Sequence, residues 1–272
     1  MGETDHHPVL PPRASALPCR PSACPVRRSS RRFWTFAYGL LQGDAERGLA
    51  EAAASLGFLY PVSVERRPPD PSLPTAFSLR YGLNAGSLRL RSADGHRTVQ
   101  LRLERLTVSL LFQPPARPYD CWETLEDSAF TAWDVFERAA RPESLVRLAT
   151  RFVNRIDTAG RNPRDLFTHP PHLPIPGVRL ESVDDRQSGV TDDGFGVQVG
   201  RSFGPRVSPR PGIVYFDVEA FRPYGDRTYG RLPPEPPIRR DDLAGDLSRL
   251  RELKNDLFHR SLSPGTLARY GP

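Results

Sequence analysis

The segment Arg151-Phe152-Val153-Asn154-Arg155-Ile156-Asp157 gathers the chain's best candidates for chemistry. Successive side chains of a strand point to opposite faces. Arg151 and Arg155, four residues apart, therefore share one face, and Asn154 falls among Phe152 and Ile156 on the other. Guanidinium groups held on a strand can grip a carboxylate or phosphate bidentately, and an asparagine on an apolar face must find hydrogen-bond partners. Two readings stay open from these residues. Either Arg151, Asn154, Arg155 and Asp157 bind a ligand, or the arginines pair with protein acids such as Asp157 or Glu137 while Asn154 satisfies a neighbouring loop.

Other chemistry-bearing residues are less organised. His169 and His172, with Asp165 four residues before His169, could offer metal ligands on a helix. Pro170, Pro171 and Pro174 break any helix there, so loop histidines are expected. Asp184-Asp185 and Asp192-Asp193-Gly194 lack the ligand spacing and closing glutamate of a calcium loop and read as a solvated acidic turn over 184–193. Lys254 is the sole lysine, in a polar C-terminal helix with no glycine-rich loop before it, which argues against phosphate-loop or Schiff-base chemistry. Cys19, Cys24 and Cys121 are too scattered for a disulfide framework or a four-cysteine metal site and are expected as reduced thiols. No cofactor, no metal and no catalytic residue is predicted.

The elements that must position these residues alternate in type. Residues 1–32, rich in proline, arginine and serine, are expected to be a disordered tail, with one α+β domain over 33–272. Phe33–Leu41 reads as a first buried strand. A helix follows from Asp44, its candidate N-cap, to Leu56. Strand patterns recur at Val62–Val64, Phe77–Tyr81 and Leu88–Leu90, with a hairpin turn at Asp94-Gly95. The run 98–112 changes phase between Leu103 and Leu106, which predicts a β-bulge near Glu104-Arg105. A helix over 128–140 precedes a strand over 146–157. Further strands are predicted at 178–183, 195–200 and 212–218, and a last helix begins at Asp241 or Asp242 with a leucine stripe from Leu243 to Leu257. Strands in unbroken runs predict mostly antiparallel pairing and an α+β class with about three helices. The order also allows two similar halves meeting near 141–145.

Charge is unevenly placed. Of the net charge of +6, residues 1–43 hold +4, from six arginines against Glu3 and Asp5, so 44–272 hold only +2. No run is long and apolar enough for a membrane helix, and no apolar signal segment follows the N-terminal charges. A cytoplasmic protein without membrane contact is expected.

The strand pattern Arg-Phe-Val-Asn-Arg-Ile at 151–156 resembles the hallmark of a sporadically distributed, uncharacterised bacterial protein family. Trp133 and Phe136 on the preceding helix, the Leu173-Pro174…Pro176-Gly177 turn and the terminal Phe258…Leu262-Ser263 agree with it, over roughly residues 45–270. At its first strand the chain departs from the family's Pro-Leu-x-Glu-Val type. The resemblance implies kinship of fold and an accessory, defence-related character, and no chemistry. The expected function is a non-catalytic interaction or ligand-sensing protein with a protein partner. Two alternatives stand beside it: nucleic-acid binding through the basic tail and the Arg80, Arg89, Arg91, Arg102 ladder, and an enzyme of unrecognised type built on Arg151 and Arg155 with Asp157 or Glu123.

Overall fold

The computed structural model describes residues 29–38, 45–61, 88–102, 105–112, 122–142, 144–170, 182–204, 212–224 and 240–270. They form an α+β fold: one eight-stranded, wholly antiparallel sheet with helices. The strands are β1 (Ser29–Tyr38), β2 (Leu88–Arg91), β3 (Arg97–Arg102), β4 (Arg105–Phe112), β5 (Leu145–Asp157), β6 (Val183–Val190), β7 (Gly196–Phe203) and β8 (Ile213–Pro223). The helices are α1 (Ala45–Leu56), α2 (Trp122–Ala140), α3 (Arg240–Ser261) and the single turn α4 (Pro264–Leu267). Spatial order is β2-β3-β4-β1-β5-β8-β7-β6.

β1 sits in mid-sheet, with Trp34 opposite Val108 of β4 on one side and Thr150 of β5 on the other. The strand begins at Ser29, so 29–32 belong to the sheet and not to the tail expected over 1–32. The predicted strands at 62–64 and 77–81, and the rest of that tail, lie outside the described residues.

The phase change at 103–106 is not a bulge within one strand. Arg102 pairs with Arg105 and Leu101 with Leu106, so the chain reverses there and β3 and β4 form a hairpin. A reversal restarts the two-residue alternation, which puts Val99 and Leu101 on the same face as Leu106 and Val108. The Asp94-Gly95 turn between β2 and β3 forms as predicted: Gly95 has φ 67°, and Asp94 accepts from the His96 amide at 2.8 Å and from Ser92 Oγ. Those two hydrogen bonds, the hydroxyl's first, hold the Asp94 carboxyl below the usual aspartate range.

The expected acidic turn over 184–193 divides differently as well. Asp184 and Asp185 lie within β6, an edge strand among the described residues; of the strand predicted over 178–183, residues 178–181 lie outside the described residues. Ser202 and Arg201 on β7 hydrogen-bond these two carboxylates, which lets acidic residues occupy a strand. Asp192 and Asp193 alone form the turn. It is exposed, as expected, and is also tied down: Asp193 Oδ2 accepts from Arg249 Nε of α3 at 2.9 Å, and its carbonyl accepts from Arg222 at 2.7 Å.

All the long helices cover one sheet face. Trp34, Phe36, Leu148 and Phe152 bury that face against Trp122, Phe130, Trp133 and Phe136 of α2 and Leu243, Leu247 and Leu250 of α3. Phe36 stacks on Trp133 at 4.8 Å between centroids, and Trp34 meets Trp122 at the same distance. α2 starts six residues before the predicted 128, because Trp122 and Leu125 extend its apolar stripe. A second cluster around Phe216, Val214 and Phe167 closes against Phe258 and Leu262.

α1 meets α2 where Gly48 faces Ala140: a methyl built on Gly48 would stand 3.0 Å from the Ala140 Cα. Overfilling a close-packed contact of this kind costs about 1–3 kcal/mol. Gly48→Leu is therefore expected to lower stability by about 2 kcal/mol in urea denaturation, and an unchanged midpoint would show that α1 does not depend on this approach.

Tyr224, after β8, donates from Oη to Asp246 of α3 at 2.6 Å. Burial first, then the Asp246 carboxylate, pushes its phenol above the usual tyrosine range. The unfolded phenol ionises near pH 10 while the folded one holds its proton, so stability present below pH 10 drains away above it. Tyr224→Phe is expected to flatten the fall of the urea midpoint between pH 10 and 11. An equal fall in both proteins would refute this.

Candidate functional site

β5 alternates as the sequence predicts. Leu148, Thr150, Phe152, Asn154 and Ile156 are buried on the helix side; Arg147, Arg151, Val153 and Arg155 lie on the second face, which carries no described helix. The predicted site residues therefore divide between two sides of the sheet.

Arg151 is held by β8. Its Nε reaches Asp217 Oδ1 at 2.9 Å and its Nη2 reaches Oδ2 at 2.6 Å, a bidentate pair between partly buried side chains. Arg186 of β6 approaches the same carboxylate at 3.4 Å. Gly200 lies opposite Asp217 on the intervening β7, beneath the path by which Arg186 crosses: a methyl there would make ordinary contact with Asp217 Cβ at 3.4 Å and Arg186 Nε at 3.8 Å. Neither Asp157 nor Glu137 is the partner: Glu219 stands opposite Arg151 in register, and Arg151 reaches diagonally to Asp217, which lies opposite Val153.

Arg147 repeats the device one step along. It pairs with Glu219 at 3.0 Å and lies 3.9 Å above the Phe221 ring. That ring in turn covers Gly196, where a methyl would come within 2.0 Å of it. Guanidinium, ring and glycine stack in order from β5 across β8 to β7, joining cation–π attraction to the ion pair.

Asn154 is 6 % exposed and donates from Nδ2 to the Phe216 carbonyl at 3.3 Å, so it ties β5 to β8 from beneath and satisfies no loop. Asp157 is exposed and accepts from the Ala159 amide at 2.9 Å, capping the turn in which Ala159 and Gly160 take positive φ. Arg155, half-buried beside Tyr215 in register, makes no hydrogen bond or ion pair. The structure thus brings Arg151 to an acid, puts Asn154 on the far face, gives Asp157 to a turn and leaves Arg155 apart.

His169 is exposed, and its carbonyl accepts from Arg201, which also holds Asp185. His172 lies outside the described residues. Among those described, no group of three His, Cys, Asp or Glu residues could hold a metal.

Two features escaped the sequence reading. Lys254, placed there on a polar helix, is 6 % exposed, with its ammonium 3.7 Å from the Phe152 ring centroid and 5.5 Å from that of Trp122. Its position in the leucine stripe of α3, four residues after Leu250, was the available signal. The other is charge segregation. β1–β4 contain Arg31, Arg32, Arg89, Arg91, Arg97, Arg102 and Arg105 and no carboxylate, whereas β5–β8 set five acids against six arginines. Only the register could show that these strands are contiguous. At the end of the β3–β4 hairpin, Arg102 and Arg105 stand directly opposite one another.

No protein-family model matches this chain, and no curated protein matches it in sequence.

Removing Asp217 would take the bidentate partner from the partly buried Arg151 guanidinium. Loss of a charged hydrogen-bond partner of this sort costs about 1–3 kcal/mol, beyond the worth of an exposed pair. Asp217→Ala is expected to destabilise by that amount, and the double variant Arg151→Met/Asp217→Ala to recover most of it. Additive losses in that double-mutant cycle would dissolve the pair as a unit.

Proposed function

We propose that the chain is a non-catalytic interaction or ligand-sensing protein of the accessory, defence-related kind that the strand resemblance implies. One observation carries this reading: of the two arginines singled out on the motif strand, Arg151 is committed to Asp217 while Arg155 stands apart, and with Arg147 committed to Glu219 the second face of β5–β8 works as a braced scaffold. Recognition is then left to surfaces around that scaffold, with a protein partner as the principal candidate and the cytoplasm as the setting. No described helix is long and apolar enough to cross a membrane. Affinity purification of the tagged full chain from its source cells tests the proposal: a stoichiometric partner supports it, and a chain recovered alone at every salt concentration overturns it.

The segregation of arginines onto β1–β4 favours nucleic acid as the second reading. A binder that neutralises several phosphates loses affinity steeply with salt, by about 10³–10⁵ between 50 and 200 mM when six to ten phosphates are involved. Fluorescence anisotropy of a labelled single-stranded oligonucleotide should show such a slope with the full chain, and Arg89→Gln/Arg91→Gln should reduce it. Binding lost entirely on deletion of residues 1–28 would assign the effect to the tail and remove the sheet from this reading.

A further inference from the structure

We propose that the outer edge of β6 is a strand-addition surface that takes β6 of a second copy of this chain, antiparallel, so that two sheets join across a two-fold axis at Gln187. The inference goes beyond the function proposed above and stands without it. β6 ends the strand order, and among the described residues no strand pairs with its second edge. Arg186, Ser188 and Val190 on one face and Gln187 and Gly189 on the other are all exposed, so this half of the strand is covered on neither side. Val190 is 77 % exposed. Gly189 has no side chain, so its exposure is that of the main chain itself.

The turn after β6 shows which main-chain groups face outward. The Thr191 amide donates to the Phe195 carbonyl at 2.8 Å, so that pair turns its polar groups toward each other. Antiparallel strands alternate between pairs that exchange hydrogen bonds and pairs that do not. The β6–β7 register runs unbroken from Val190 opposite Gly196 to Val183 opposite Phe203. Counting back from Thr191, the amides and carbonyls of Gly189, Gln187 and Asp185 turn toward β7, and those of Val190, Ser188, Arg186 and Asp184 turn out of the sheet.

Native sheets guard such edges with proline, bulges or charge. β6 holds no proline and no break in register. Its charges are drawn back over the sheet: Arg186 donates to Gln198 of β7 at 2.9 Å and reaches Asp217 of β8, and Asp185 accepts from Arg201. From Gln187 to Val190 the strand carries no charge.

Charge then selects the register. Two identical edges meet isologously, and side-chain alternation makes the axis pass through a residue that faces its own copy. An axis at Asp184, Asp185 or Arg186 sets like charges opposite each other, which weakens a sheet. Axes at Ser188 or beyond pair fewer residues of the strand. An axis at Gln187 sets Arg186 against Ser188, Asp185 against Gly189 and Asp184 against Val190, with no like charges opposed. All four outward residues of each copy then exchange main-chain hydrogen bonds. The two Gln187 side-chain amides, each both donor and acceptor, meet on the axis. A joint of one short strand falls below the standard interface of about 1,600 Å², so the dimer is expected to dissociate on dilution.

Sedimentation equilibrium of the full chain over rising concentration tests the proposal. The average mass is expected to climb from that of one chain toward that of two. Ser188→Pro deletes an outward amide and spares those that bond β7, so it should abolish the climb and leave Tm unchanged. Gln187→Glu and Gln187→Lys each oppose like charges on the axis and should each weaken dimerisation by up to about fivefold. An equimolar mixture of these two variants should restore it, because Glu then faces Lys; this rescue reads out the axis even where Ser188→Pro folds poorly.

A chain that stays monomeric up to its solubility limit overturns the proposal. So does a dimer that folded Ser188→Pro leaves intact, or a mixture no tighter than its two components. A protein of different sequence that binds the monomeric chain and is released by Ser188→Pro would give the edge to that partner and overturn the second copy.

Discussion

The fold depends on where β1 goes. β2, β3 and β4 form one meander, and β8, β7 and β6 with β5 form another. The first strand of the described chain lies between them and hydrogen-bonds to β4 on one edge and β5 on the other. Without it, two strand edges would be exposed and the helix-covered core would be split. Such a long-range insertion delays its reward until distant segments are in place; Thr35 and Thr107, which touch across β1 and β4, are 72 residues apart. Trp34 and Phe36 compensate on the inner face, where two aromatic contacts with α2 lock the strand beneath a helix.

That placement also separates two electrostatic regimes. On the β5–β8 side, Asp217 and Glu219 on one strand face Arg151 and Arg147 on the next, and a shared carboxylate brings in Arg186 from two strands away. Ion pairs on a half-buried face gain more from a low surrounding dielectric than exposed ones do, and bidentate geometry fixes the register in which they form. On the β1–β4 side the strands themselves contribute arginines and no carboxylate. The sheet is continuous, but its charge is not.

Much of the local structure was legible. The alternation of β5, the leucine stripe of α3 and the Asp94-Gly95 turn are short-range patterns, set by one strand or helix face and one turn conformation. Errors arose where one local pattern had two global explanations. An inversion of phase at 103–106 fits a bulge or a reversal equally well, and only the pairing of Leu101 with Leu106 separates them. Asp184 and Asp185 looked like a turn because acids are poor strand residues, until Ser202 and Arg201 appear as their cross-strand partners. The candidate site was legible as residues and not as contacts. Arg151 was singled out, but Asp217, 66 positions later, has no local signature that ties it to Arg151.

The environment of Lys254 has a practical consequence for the chemistry of the whole chain. It is the sole lysine, and its ammonium is enclosed by Phe152 and Trp122 under α3. Acylating reagents, and enzymes that tag proteins through a side-chain amine, therefore meet no accessible lysine while the fold is intact. Opening of α3 from the sheet would be the event that uncovers one. Covalent capture of that amine would act as a one-way recorder of such openings, and a chain marked there would carry a lasting trace of having come apart.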